Sequence, residues 1–325
     1  MNCPSADVIV LATSGLGNQL FQLAASLYLN GGDSASLVAL GNERQHVPGF
    51  ADIAGFKLSD MVNLAQPAVR SRVRIARKLL GEAQAMAARN NGDSDLTRES
   101  LANLSPILVP LLLRPEFGCK RRIRVARGIG YDPTALSQQP DEFWLGYFQS
   151  WRYSKAQVIA DLLGGPAPAV SCSWFEAMEA RASIERPLVV HVRLGDYRDI
   201  PGVGIPDHDY YRRTLLQAAA SVNPGAIWLF SDEPEEARGL LPKELGDFGV
   251  EPVVPPINCS HPATVLSVMS RGSGFVTANS TFSYWAARLS GVTGDKIFVP
   301  HPWFPVGPEI RDMIPEDWTR VPRAN

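Results

Sequence analysis

Residues 187–197 read Pro-Leu-Val-Val-His-Val-Arg-Leu-Gly-Asp-Tyr, and the folding of this stretch decides how the rest of the chain is organised. Leu188 to Val192 form a β-branched apolar run bounded by Pro187 and Gly195, the pattern of a buried strand. His191, Arg193, Asp196 and Tyr197 gather at its end. In an open α/β sheet, polar groups at the carboxyl end of a strand sit where ligands bind. The planar donor fork of Arg193 suits a phosphate or diphosphate. Gly195 permits a sharp turn that keeps Asp196 close to the arginine. The plainer alternative is an ordinary Arg193–Asp196 salt bridge closing a strand end, and the stretch taken alone admits both readings.

Outward from this strand, strands and helices alternate. A helix is expected over about Ser173–Ala182. Asp207 can cap the next one, which carries Tyr210, Leu215, Leu216 and Ala219. Ala226–Phe230 is a strand ending in Ser231-Asp232-Glu233, and Pro234 opens a helix from its first turn. Gly249–Val254, Gly274–Ala278 and Lys296–Val299 read as further strands, the last of them final, with helices over Ala263–Met269 and Asn279–Leu289. Such alternation argues for a parallel sheet covered by helices on both faces.

The chain opens in the same way. Val8–Ala12 reads as a strand, Gly15-Leu16-Gly17 as a tight turn, Gln19–Leu29 as a helix and Ser36–Leu40 as a second strand, the start of a doubly wound domain. The glycine loop lacks the third glycine of a dinucleotide fingerprint, and no acidic residue closes the second strand, which argues against a nicotinamide site. Asn18 and Gln19, at a helix start, can bind sugar hydroxyls or phosphate. Otherwise the loop is a turn that lets the helix pack on its sheet.

Residues 66–127 read as helical and basic, with clusters in segments 70–78 and 120–127. These are either solvated surfaces or patches that touch anionic lipid. Phe143–Trp151 is aromatic and mostly core, with Tyr147 and Gln149 as candidates to face a cleft. Gly164-Gly165-Pro166-Ala167-Pro168 is the clearest linker signal. It divides the chain into residues 1–165, 166–300 and a tail, 301–325, expected to pack back on the first domain.

The 325 residues are 45% hydrophobic and 20% charged with a net charge of −2, so disorder is excluded as the default and nothing global points to nucleic acid. The four cysteines are scattered without a Cys-x-x-Cys pair. A disulfide framework or zinc site is therefore not expected, and a reducing, cytoplasmic setting fits. There is no apolar run of spanning length and no signal-peptide pattern, so a soluble chain with at most peripheral membrane contact is expected.

Four stretches occur in order: Gly15-Leu16-Gly17-Asn18-Gln19-Leu20-Phe21-Gln22, Gly146-Tyr147-Phe148-Gln149-Ser150, His191-Val192-Arg193-Leu194-Gly195-Asp196-Tyr197, and Asn279-Ser280-Thr281-Phe282-Ser283-Tyr284-Trp285-Ala286-Ala287. With these the chain resembles the bacterial alpha-1,2-fucosyltransferase family from Gly15 to about Phe304. The resemblance implies a GT-B-like α/β fold, two Rossmann-like domains facing a cleft, the first on the acceptor side and the second binding the GDP-sugar. It implies inverting transfer of L-fucose from GDP-fucose to a galactose hydroxyl of a glycan, with GDP-fucose as substrate and no separate cofactor.

A nucleotide-diphosphate donor needs its diphosphate neutralised, by a metal on carboxylates or by arginines and helix N-termini. No Asp-x-Asp follows an apolar strand; Asp93 and Asp95 lie in a polar loop. The metal-free route is therefore expected. Arg193 is the main diphosphate ligand, and Leu194 stands where many family members carry a second arginine, leaving Lys296 or Arg288 as possible helpers. Asn279, Ser280, Thr281 and Phe282 form the second half of the clamp, either presenting helix N–H groups to an anion or capping a buried helix. Asp232 either accepts from guanine or ribose or caps the Pro234 helix. Gly17, Asn18 and Gln19 complete the donor-binding set. The catalytic candidates are Arg193, Asp196 and His191, with Asp196 preferred over His191 for electrostatic support and the base left open. Two rivals stand beside this reading: a transferase of the same architecture using another nucleotide sugar, and a non-catalytic glycan- or nucleotide-binding protein.

Overall fold

The computed structural model describes residues 9–12, 15–31, 36–39, 122–126, 129–133, 142–153, 172–242, 249–307, 309–310 and 312–323. The basic segment 70–78, Lys120, Arg121 and Arg127 of the second basic cluster, the Asp93–Asp95 loop and the Gly164–Pro168 linker lie outside the described residues. The described part falls into two compact units. One holds residues 9–153 and Ile310–Met313, and the other holds residues 172–309 and 314–323.

The first unit carries a four-stranded sheet in the order β2-β1-β4-β3, all parallel, from β1 (Ile9–Ala12), β2 (Ser36–Ala39), β3 (Arg122–Val125) and β4 (Glu142–Leu145). Arg122–Val125 is thus a strand, where the basic sequence reads as helical. Helix α1 (Leu16–Leu29) follows β1, starting earlier than expected because Gly15 serves as its extended N-cap. Leu20, Phe21, Leu23 and Ala24 of α1 are fully buried. Of the aromatic stretch, Trp144 and Phe148 are core, while Tyr147 and Trp151 are half-buried. Phe148 is wholly buried, its ring centroid 6.5 Å from Trp144 and 5.6 Å from Tyr153.

The second unit is built on a six-stranded parallel sheet, β10-β9-β8-β5-β6-β7. Its strands are β5 (Leu188–Val192), β6 (Ile227–Ser231), β7 (Val250–Pro252), β8 (Gly274–Val276), β9 (Ile297–His301) and β10 (Thr319–Pro322). All five residues of β5 are buried, as expected for a central strand covered on both faces. The helices are α2 (Ser173–Glu185), α3 (His208–Val222), α4 (Pro234–Gly239), α5 (Pro262–Met269) and α6 (Thr281–Leu289). Asp207 caps α3 as the sequence suggests, its carboxylate accepting from Tyr210 N at 2.8 Å. Tyr210, Leu215, Ala218 and Val222 face the core; Leu216, read as part of that face, is exposed.

The chain does not end its sheet at β9. The tail expected on the first domain gives it only Ile310–Met313, held by Ser150 Oγ and Trp151 N donating to the Asp312 carbonyl at 2.8 and 3.0 Å. It then adds β10 to the second sheet's edge, in register with β9. The cysteine expectation is also corrected: a disulfide joins Cys172, at the start of α2, to Cys259 before α5. No helix among the described residues is long and apolar enough to cross a membrane.

Candidate functional site

Two parallel α/β units agree with the fold class read from the sequence, and the second sheet's topology marks its ligand edge. From β5 the chain runs outward to β6 and β7, then returns to β8 on the other side of β5 before continuing to β9 and β10. The order of connection therefore reverses between β5 and β8. In open α/β sheets such a reversal opens a crevice at the carboxyl ends of the two strands. The loop after β5 carries Arg193 to Tyr197, and the loop after β8 carries Asn279 and Ser280. Neighbouring β6 delivers Asp232 to the same edge.

Arg193 is gripped from both sides. Its Nε and Nη2 donate to Asp196 Oδ1 at 3.1 and 2.6 Å, and its Nη1 lies 3.3 Å from Asp232 Oδ2. Its guanidinium carbon lies 5.6 Å from the centre of the Tyr197 ring. Asp232 also accepts from Leu194 N at 3.0 Å. Of the two readings for Asp232, the helix cap is excluded, because the N-cap of α4 is Glu233 and the Asp232 carboxylate reaches across to the β5 loop. Gly195 is required by this approach: a Cβ there would collide with Asp232 Oδ2.

Leu194 is buried in the core that α3 packs on, so this position contributes a backbone N–H to the site and no side chain. Neither proposed helper reaches Arg193's edge by topology. Lys296 immediately precedes β9 and Arg288 lies in the last turn of α6, both at the amino-terminal side of the sheet. The second arginine of the loop is Arg198, which the sequence reading missed. It lies 2.8 Å from Glu233 Oε1 and 2.8 Å from Glu236 Oε1. Its signal was its place on the same short turn as Asp196.

Asn279 is a structural anchor. Its Nδ2 donates to the Val203 and Gly204 carbonyls at 2.8 and 2.9 Å, and its own carbonyl accepts from Tyr197 Oη at 3.3 Å. It thereby ties the loop after β5 to the loop after β8 across the reversal point. Its Oδ1 is buried without a hydrogen-bond partner among the described residues. Ser280 caps α6, its Oγ accepting from Phe282 N at 3.3 Å. Of the two readings of this segment, the geometry shows the cap: the serine caps the helix, and the capped end lies at the carboxyl edge of the sheet. Thr281 and Phe282 are half-buried, and the Phe282 ring lies 6.3 Å from that of His191.

His191 is the last but one residue of β5 and is buried. Burial, aided by the nearby Arg193 charge, lowers its pKa from 6.5 to about 3. Its Nδ1 has no hydrogen-bond partner among the described residues. The imidazole is neutral at physiological pH and a weak base. Tyr211 Oη donates to the His191 carbonyl at 3.1 Å, and Tyr210 Oη to the Thr277 carbonyl at 2.8 Å, so α3 fixes the ends of β5 and β8.

The first unit has an edge of its own. Gly17 and Gln19 are buried in the first turn of α1, and only Asn18 of the three is half-exposed. Its Oδ1 accepts from Gln149 Nε2 at 2.8 Å. Among the described residues, no group of three or more His, Cys, Asp or Glu side chains is placed to hold a metal ion.

Fold and edge together define an α/β protein with a polar, arginine-bearing ligand edge at a topological switch point. No protein-family model matches the chain. Over 136 residues it is 27% identical to the Escherichia coli O-antigen biosynthesis glycosyltransferase WbnK, covering 41% of this chain and 43% of WbnK, so the match spans less than half of that relative. Among solved structures, the chain is similar to E. coli ADP-heptose LPS heptosyltransferase II, with a TM-score of 0.45 and 13% identity over 97% of this chain and 90% of that one. It is also similar to NodZ alpha-1,6-fucosyltransferase soaked with GDP-fucose, with a TM-score of 0.40 and 12% identity over 88% and 94%.

Proposed function

We propose that the chain is a glycosyltransferase that moves L-fucose from GDP-fucose to a galactose hydroxyl of a glycan, forming an alpha-1,2 bond with inversion and without a metal. The observation that carries the reading is the gathering of Arg193, Asp232 and the capped start of α6 on the carboxyl edge at the β5/β8 reversal. Further support comes from the four sequence stretches shared in order with alpha-1,2-fucosyltransferases and from the sequence likeness to an O-antigen glycosyltransferase.

The charges at this edge suggest how the site works. Arg193 is already matched by two carboxylates, so a diphosphate must replace one of them. Asp196 is the one to leave: its side chain is 60% exposed, against 23% for Asp232, and it sits on a short turn. The diphosphate takes its place on Arg193, while Asp232 keeps the guanidinium and Leu194 N in position. The first-turn N–H groups of α6 that Ser280 does not cap add positive potential near Thr281 and Phe282. The freed Asp196 carboxylate then accepts the proton of the acceptor hydroxyl. The acceptor oxygen bonds to the anomeric carbon as the bond from that carbon to the diphosphate breaks, and GDP leaves with the bonding electrons. His191, held neutral, serves as an uncharged wall. In the first unit, Asn18 contacts a sugar hydroxyl.

The test is GDP release from GDP-fucose in the presence of β-galactosides, with a panel of other nucleotide sugars alongside. Acceptor-dependent release from GDP-fucose, lost in Arg193→Ala, is the expected result. Asp196→Asn should retain GDP binding and lose transfer. Near-normal transfer by Arg193→Ala refutes its role. Release from a different donor replaces fucose while leaving the diphosphate logic standing. GDP binding without turnover on any acceptor favours a non-catalytic binding protein.

A further inference from the structure

In the first unit, β1 and β4 are neighbours and β2 lies on the far side of β1, so among the described strands the connection order reverses between β1 and β4. The residues directly after these two strands meet at that reversal although far apart in sequence. Gln22 Nε2, on α1, donates to the Gly146 carbonyl after β4 at 2.9 Å. One turn earlier, Gln149 Nε2 donates to Asn18 Oδ1 at 2.8 Å. Backbone strain lies next to the second contact. Phe148 has φ of 52°, in the left-handed region that a bulky residue rarely occupies. That conformation sends the Phe148 ring into the core while the next residue turns to α1. The Gln149 main chain is fixed by donating to the Ile129 carbonyl at 2.8 Å.

Gln149 is 6% exposed, and its Oε1 has no hydrogen-bond partner among the described residues. A buried acceptor left unpaired is costly, and here it stands against the first turn of α1, a helix of 14 residues whose N-cap, Gly15, offers no side-chain oxygen. Because Asn18 Oδ1 is engaged by Gln149, the group that Asn18 has left to offer is its Nδ2 donor.

We propose that Gln149 is a positioning residue that orients the Asn18 amide, and that Asn18 Nδ2 with Gln149 Oε1 forms a donor–acceptor pair reading a neutral carbohydrate hydroxyl at the β1/β4 edge. The acceptor half decides the ligand class. A hydroxyl can donate to a carbonyl oxygen, whereas a fully ionised phosphate oxygen has no proton to give and is repelled by it. The identification of the hydroxyl as carbohydrate rests on the glycosyltransferase reading; the hydroxyl chemistry itself does not.

Two measurements test this. The first follows the side-chain amide resonances of Asn18 by NMR, assigned with Asn18→Ala, during titration with inorganic phosphate, GDP, GDP-fucose and methyl β-galactoside. Shifts with at least one compound that carries sugar hydroxyls, GDP through its ribose included, but not with inorganic phosphate, are expected, and should disappear in Gln149→Ala. A shift with inorganic phosphate, no shift with any compound, or a shift unaltered in Gln149→Ala overturns the proposal. The second is a double-mutant cycle on transfer. Asn18→Ala and Gln149→Ala should each lower kcat/KM by about tenfold, as for one neutral hydrogen bond. Their combination should cost about the same tenfold, and fully additive losses overturn the positioning role. If the wild type transfers nothing, the glycosyltransferase reading fails, and the NMR titration still decides this one.

Discussion

Gly195→Ala tests the geometry of the Arg193 loop most directly. A methyl on Gly195 would occupy the place of Asp232 Oδ2. Asp232 cannot swing away freely, because Oδ1 holds Leu194 N at 3.0 Å and Oδ2 lies 3.3 Å from Arg193 Nη1. Losing a hydrogen bond to a charged group costs about 1.5–3 kcal/mol. The alanine returns about 0.4–1 kcal/mol by narrowing the unfolded ensemble, since Gly195 is not among the residues of positive φ. The net expectation is a loss of about 1–2 kcal/mol, read as a lower urea midpoint at unchanged slope. Asp232→Ala removes the obstruction, leaving Glu233 Oε1 at an ordinary 3.9 Å from the new methyl. In that background Gly195→Ala should change sign and become neutral or mildly stabilising. An unchanged midpoint in the single variant, or a cost that persists without the aspartate, would refute the claim that this glycine exists to admit Asp232.

His191 gives a pH signature. Its folded pKa, about 3, lies below the ordinary 6.5, so between these values the unfolded chain binds a proton that the folded one refuses. Stability is then full above pH 6.5 and falls with acidification. Between pH 7 and 5 the wild type should lose about 2 kcal/mol more than His191→Leu, measured by urea unfolding at each pH; parallel losses would show that the imidazole titrates normally. For the proposed transfer, EDTA should leave the rate unchanged, because the proposal gives the diphosphate charge to Arg193 and helix N–H groups. Complete loss restored by manganese would remove that account.

The parts of this protein that could be read along the chain are those fixed by local chemistry. The run Leu188–Val192 is apolar and β-branched because both its faces are covered, and that need is written into consecutive residues. Asp207 marks a helix start through a bond made within one turn, and Pro234 through its fixed φ and a missing N–H that the first turn does not need. What escaped depends on which strands become neighbours. Asp232 reads equally well as a helix cap or a ligand contact until β6 is known to lie beside β5, in register from Leu188 with Ile227 to Val192 with Ser231. The Cys172–Cys259 pairing spans 87 residues, and no spacing pattern announces it. Strand β10 is four residues ending in a proline, a weak signal that succeeds because an edge strand tolerates a missing donor.

The same distinction separates what Arg193 and Asn279 do. Both stand in recognisable stretches, and a motif match alone would assign both to the ligand. In the fold, Asn279 uses both Nδ2 hydrogens on the Val203 and Gly204 carbonyls, so its contribution is to hold two loops together across the switch point. Arg193 is held by carboxylates, one of them largely exposed, so its partner can be exchanged for an incoming anion. A side chain whose two donors are both held by backbone carbonyls has no such freedom, because releasing it would leave buried carbonyls unpaired. On the proposed reading, exchangeability, set by the exposure of the present partner, is what separates Arg193 as the ligand contact from Asn279 as its scaffold.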